Sequence, residues 1–234
     1  MPRRRPATTV EGATRAPDRR RLAAGKAESA ECRRCPLWRH ATQTVFGAGP
    51  ADASIVLVGE QPGDQEDLAG EPFVGPAGQL LRKAMREARL DEGIAYRTNA
   101  VKHFKWEARG KRRIHERPTT SEVLACQIWL ELELAAIAPR LVVALGATAV
   151  RSLLGPSARV LRDRGQVLSS PTGVDVLVTV HPSSILRAPD EIARREAYDA
   201  FVADLRAARR RLASRIARVR PSGVSPKTTP AETG

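Results

Sequence analysis

Residues 59–81 of this 234-residue chain, GEQPGDQEDLAGEPFVGPAGQLL, set carboxylates among glycines and prolines. A loop of that kind can hold Glu60, Gln61 and Asp64 where a reaction needs a base or a positioned water. The segment lacks the GxGxxG spacing that brings backbone against a pyrophosphate, so a dinucleotide site is poorly supported. Further along stand Asn99 in NAVKH, His115 at the end of the basic run GKRRIH, and His181 at the head of HPSS. An asparagine amide presents a donor and an acceptor to one edge of a ligand. A histidine can serve as base, hydrogen-bond donor, nucleophile or metal ligand. Lys111, Arg112 and Arg113 read alone as a solvated charge run, and beside a nucleic-acid site as phosphate contacts. Cys32-x2-Cys35 with a distant Cys126 fits zinc, redox or iron–sulfur chemistry. Three cysteines, an odd number, speak against a disulfide framework.

Positioning these residues requires a sheet. Short, nearly continuous apolar runs at residues 54–59, 96–101, 141–146 and 174–180 predict four strands buried on both faces. Helical spacing fills residues 77–88, 120–137, 147–154 and 189–212, with Thr119, Thr120 or Ser121 available to cap the second. The alternation predicts a three-layer α/β/α fold around a central, mostly parallel four-stranded sheet. Ligands of such sheets gather at the carboxyl ends of the strands, and every distinctive segment above follows a predicted strand. Residues 1–27 and 214–234, rich in Pro, Arg and Thr, read as disordered tails around one domain at residues 28–213. A formal charge of +13 favours a polyanionic partner. No run of about 18 apolar residues and no signal-peptide core is present, so the expectation is a cytoplasmic monomer away from membranes.

The ordered pieces GEQPGDQEDLAGEPFVGPAGQLL, NAVKH and HPSS together resemble family 4 uracil-DNA glycosylases over residues 32–212. KRRIH following NAVKH resembles the UdgX type, whose members become covalently linked to uracil-containing DNA. The resemblance implies an enzyme that extrudes a nucleotide from DNA and reads the edge of its base. In that reading Phe73 stacks on uracil beside Gly59, and Asn99 addresses N3–H and O4. His181 donates toward O2 as charge spreads over the leaving base. Glu60 and Gln61 take the place where relatives position a water, with Asp64 near, although Gln61 stands where a small residue is common. Ser183 and Ser184 would bond a phosphate, Ile185 or Leu186 would wedge into the vacated stack, and Lys102 and Lys105 would extend the basic surface. His115 would attack C1′ of the sugar once uracil leaves, with Glu60 orienting its ring.

The same resemblance implies a four-iron, four-sulfur cluster. Family members hold it with four cysteines, one of them directly after the asparagine strand, where this chain has His103. The implied ligands are therefore Cys32, Cys35, His103 and Cys126, with a three-cysteine cluster or a zinc site as alternatives. Two other functions share most of these motifs: a conventional multiple-turnover glycosylase, and a non-catalytic module that binds uracil-DNA.

Overall fold

The structure, a computed structural model, describes residues 16–219. Residues 1–15 and 220–234, the greater part of the two expected tails, lie outside the described residues. In chain order the first elements are α1 (Arg19–Ala30), β1 (Ile55–Gly59), α2 (Asp64–Ala69), α3 (Pro76–Glu87) and β2 (Ala95–Asn99). A hairpin follows, β3 (Trp106–Arg109) and β4 (Arg112–His115), then α4 (Thr120–Ile137), β5 (Leu141–Leu145), α5 (Ala147–Leu154) and α6 (Val160–Asp163). The last elements are β6 (Val167–Ser169), β7 (Asp175–Thr179), α7 (Pro182–Leu186) and α8 (Glu191–Val219).

The expected α/β architecture is present, with two corrections to its strands. The sheet has five strands in the order β2-β1-β5-β7-β6, and β6 joins antiparallel at the edge. β6 escaped notice because it is three residues long and only half buried, too short to show a period. Residues 110–115, read as a basic run after the second strand, belong to the antiparallel hairpin β3–β4 (residues 106–115), with Trp106 opposite His115. At the N-terminal side, residues 19–27 are helical rather than tail. Asp18 caps α1 by accepting the Arg21 amide at 2.9 Å. Gly25 lets the helix close onto α4, since a Cβ there would fall 2.4 Å from Leu132 Cδ2. α8 runs to Val219, beyond the expected end at 212.

β1, β5 and β7 are buried along their whole length, which explains their nearly continuous apolar runs, while β2 at the edge carries the half-buried Arg97. Ile55 and Leu57 face Leu81, Met85, Phe201 and Leu205 from α3 and α8. Val56 and Val58 face the opposite layer with Leu130, Ile137, Val150 and Leu153 from α4 and α5. Each such side chain contributes about 1.5–3 kcal/mol through burial. A third cluster sits at one end, where Cys32, Cys35 and Cys126 pack with Leu37, Phe46, Val101 and Trp129.

Candidate functional site

The carboxyl ends of β1, β2, β5 and β7 open into a cavity of about 500 Å³, lined among others by Glu60, Phe73, Asn99, His115 and His181. A strand end delivers each wall: Gly59 and Glu60 close β1, Asn99 closes β2, Gly146 precedes α5, and His181 caps α7. Gly59 marks where they converge. A Cβ built there would lie 2.4 Å from Asn99 Oδ1, 2.8 Å from Phe73 Cζ and 3.5 Å from His181 Nε2. Phe73 and His181 face each other with ring centroids 6.2 Å apart and planes 26° from parallel. Asn99 is 3% exposed, and among the described residues its amide takes no hydrogen bond, so both its ends are available to a ligand. A flat heterocycle seated on Phe73 would meet a donor–acceptor pair from Asn99 and a ring N–H from His181.

Local backbone supports this arrangement. Phe73 has φ 61°, a left-handed conformation that a bulky residue holds only when its surroundings impose it. Arg82 Nη1 donates to the Phe73 carbonyl at 2.8 Å. Gly78 packs against the same carbonyl so closely that a Cβ would fall 1.8 Å from it. The loop ahead of Phe73 is closed by buried Glu66, which accepts from the amides of Gly63 at 3.1 Å and Gly75 at 2.7 Å.

His181 is held as a neutral donor. The Ser183 amide points at Nδ1 from 3.2 Å and its hydroxyl lies 2.8 Å away; an amide only donates, so Nδ1 accepts and the ring proton sits on Nε2, toward the cavity. Burial lowers the pKa of His181 to about 4, with Arg187 and His115 acting in the same direction. A histidine depressed in the folded state contributes stability that is full above its unfolded value, near 6.5, and is lost as pH falls toward about 4. Between pH 7 and 4 the melting temperature of the parent should therefore fall more steeply than that of His181→Asn. Parallel curves in thermal melts would count against a buried, neutral His181.

Glu60 and His115 meet at the cavity rim. His115 Nε2 lies 3.5 Å from Glu60 Oε1, and His115 is about half exposed. Glu60 Oε2 accepts from the Thr148 hydroxyl and lies 3.7 Å from Arg117 Nε. Thr148 and Arg117 had no motif to announce them; Thr148 is found only once α5 is seen to start beside β1. Arg187, directly after HPSSIL, also lines the cavity.

Several expected site residues are committed elsewhere. Gln61 lines the cavity, but its side-chain amide is already engaged. Its amide donates to the carbonyls of Lys105 at 3.1 Å and Glu116 at 3.0 Å, and accepts from the Lys105 amide at 3.1 Å. Asp64 pairs with Arg113 Nε at 2.5 Å, which takes both out of their expected roles. Arg113 also donates to buried Asp67 at 2.6 Å and lies over the rings of Phe104 and Trp106, so it anchors the hairpin instead of offering itself to phosphate. Lys111 and Arg112 remain exposed at the hairpin tip. Lys102 is fully buried and Lys105 pairs with Glu116 and Glu122, so neither extends a basic surface. The hydroxyls of Ser183 and Ser184 bond His181 itself, at Nδ1 and at the carbonyl. Ile185 is 1% exposed and Leu186 40%, which removes Ile185 as a wedge.

A family model described as the uracil DNA glycosylase superfamily matches residues 46–206, the span that supplies every wall of this cavity. The chain belongs to the uracil-DNA glycosylase superfamily. It is 37% identical over 166 residues to a type-4 uracil-DNA glycosylase of Thermotoga maritima, covering 70% of this chain and 83% of that protein. A type-4 uracil-DNA glycosylase of Pyrobaculum aerophilum is 35% identical over 165 residues, 68% of this chain and 81% of its own. A type-5 uracil-DNA glycosylase of the same organism is 32% identical over 194 residues, with 72% and 81% covered.

In this uracil-DNA glycosylase superfamily member Cys32 and Cys35 precede the matched span, whereas His103 and Cys126 lie within it. The three thiols are buried together, and two polar hydrogens point at sulfur: Trp129 Nε1 donates to Cys32 Sγ and the Lys102 amide to Cys126 Sγ, both at 3.2 Å. His103 bonds Thr44 Oγ1 through Nε2 at 3.0 Å, and its Nδ1 is buried without a partner. Burial pushes the Cys126 thiol up to about 12, so it ionises only against a positive charge held nearby. Among the described residues no three His, Cys, Asp or Glu side chains close around one point as a single metal ion requires. No described helix is long and apolar enough to cross a membrane.

Proposed function

We propose that this chain excises uracil from DNA and that His115 then bonds to C1′ of the deoxyribose, leaving one protein attached to one DNA. The observation that carries the first half is the convergence of Phe73, Asn99 and His181 on the point above Gly59. Uracil presents an N3–H donor and an O4 acceptor to an asparagine amide; cytosine presents the reverse at those positions, and unpaired buried groups cost about 1–3 kcal/mol each. His181 Nε2–H, aimed into the cavity, bonds O2 and stabilises negative charge as the glycosidic bond breaks. The relatives, uracil-DNA glycosylases of types 4 and 5, support the same substrate.

His115 supports the second half. It lines the cavity, within 3.5 Å of Glu60 Oε1. After uracil departs, C1′ is electron-poor, and a nucleophile held about 3–3.5 Å away reacts at high effective molarity. Neutral imidazole attacks C1′ through Nε2 or Nδ1, the other ring nitrogen losing its proton to Glu60 or to water. Thr148 and Arg117 hold Glu60 in place for this. Leu186, exposed and next in sequence to the cavity-lining Arg187, would fill the space left by the flipped base, while Arg187 and the exposed Lys111 and Arg112 would meet the phosphates. Denaturing electrophoresis after mixing with uracil-containing DNA tests the reading. An SDS- and heat-resistant 1:1 band with free uracil supports it; free uracil over many turnovers with no band points to a conventional glycosylase; neither product points to a binding module.

The buried thiols and the unpartnered His103 Nδ1 fit a four-iron, four-sulfur cluster better than zinc. Zinc needs all its donors about 2.0–2.3 Å from one ion, which the described groups do not approach, whereas a cluster accepts donors spread around its larger body. Cys32, Cys35, Cys126 and His103 would hold it, and it would supply a structural tie between the N-terminal segment and β2. Purified protein should be brown and contain iron, and Cys126→Ser should lose both iron and thermal stability. Stoichiometric zinc in place of iron would reject the assignment.

A further inference from the structure

Lys102 is 0% exposed, an unusual place for an ammonium group. Its three N–H bonds are all used: to Thr98 Oγ1 at 2.6 Å, to Glu133 Oε2 at 2.5 Å and to the backbone carbonyl of Asn99 at 2.9 Å. Glu133 in turn accepts from the Gly47 amide at 2.8 Å, the Tyr96 hydroxyl at 3.1 Å and the Thr98 hydroxyl at 2.8 Å. Buried ion pairs of this kind are seldom worth more to stability than apolar side chains of the same shape. What the pair does here is local. β2 lies at the edge of the sheet, and its last residue is Asn99. The ammonium grips the carbonyl of that residue from a network rooted in α4 and the loop at Gly47.

We propose that Lys102, neutralised by Glu133, is a positioning residue for Asn99 and thereby sets selectivity for uracil. The inference rests on the reading of Asn99 as the group that addresses the base. A carboxamide discriminates donor from acceptor only while it is held near hydrogen-bonding geometry. Freedom at the end of β2 lets the amide shift and tolerate other bases.

The test compares full-length parent, Lys102→Met, Lys102→Met/Glu133→Gln, Thr98→Val, Tyr96→Phe and Asn99→Ala on oligonucleotides carrying one uracil or one unpaired cytosine. Rates of base release and melting temperatures are read for each. The two Lys102 variants are expected to lower the uracil-to-cytosine ratio of the single-turnover second-order rate constants for base release at least about tenfold, the scale of one misplaced hydrogen bond. Tyr96→Phe removes a bond to the same carboxylate without touching Asn99, so it should lower the melting temperature and leave the ratio unchanged. A purely structural role would move melting temperatures alone. If the Lys102 variants do not fold, Thr98→Val decides: it keeps side-chain shape, strips one acceptor from the ammonium, and must reduce the ratio. Parental selectivity in a folded Lys102 variant, or in Thr98→Val when those fail to fold, overturns the proposal. A parental ratio in Asn99→Ala would instead overturn the reading of the pocket.

Discussion

His115→Gly and His115→Ser are expected to yield no SDS-resistant complex with uracil-containing DNA and to release more than one equivalent of uracil per protein. His115 stands at the end of β4, half exposed, with Glu60 as its nearest carboxylate. Its removal leaves Phe73, Asn99 and His181 untouched, so extrusion and bond breaking continue. Water then reaches C1′ through the space the imidazole held. The 3.5 Å separation from Glu60 is a near contact in the free protein, of the kind that tightens when substrate arrives. Glu60→Gln should accordingly slow attachment more than it weakens DNA binding, because the amide cannot stabilise the cation formed on the ring. Gel analysis of the complex and a timed uracil-release assay check both. Cross-linking of His115→Gly at the parental rate would place the nucleophile elsewhere.

Gly59→Ala should reduce the single-turnover second-order rate constant for uracil release by roughly 10²-fold or more, with little change in melting temperature. The added methyl would stand 2.4 Å from Asn99 Oδ1 and 2.8 Å from Phe73 Cζ, inside any permissible contact. Both are side-chain atoms, so the fold survives by turning them aside, and misplacing reading groups by about 1 Å costs on that order. Single-turnover kinetics beside a thermal melt would distinguish this from general damage. A parental rate constant in the Gly59→Ala variant would show that the base does not occupy the space between Asn99 and Phe73.

The parallel core was legible because strands buried on both faces leave continuous apolar runs, and α4 and α5 began and ended where spacing and capping placed them. Elements without an apolar signature were not legible. α1 is built from arginine, alanine and glutamate and is held by a cap and by one close approach to α4. The hairpin alternates mostly charged residues and faces solvent, so its pairing left no mark on hydrophobic pattern. At the site, Glu60, Asn99 and His181 reach the cavity because each closes or follows a parallel strand, whereas Phe73 reaches it from the loop before α3. Their neighbours were misread when charge was taken for exposure. Lys102, Arg113 and Asp64 carry charges that are spent on one another or on buried partners, and one-dimensional spacing does not show pairing.

The Gln61 side chain holds the two ends of the hairpin together, bonding Lys105 on one side and Glu116 on the other, while the Glu116 amide closes onto the Lys105 carbonyl at 3.0 Å. Everything between those residues can be regarded as a cassette with its own clasp. Lengthening, shortening or replacing residues 106–115 would leave the clasp, the sheet and the base-reading wall in place. If His115 is the nucleophile, rewriting ten residues is enough to place a reactive side chain beside an existing pocket, and a protein engineer can use the same seam to present a different nucleophile, or none.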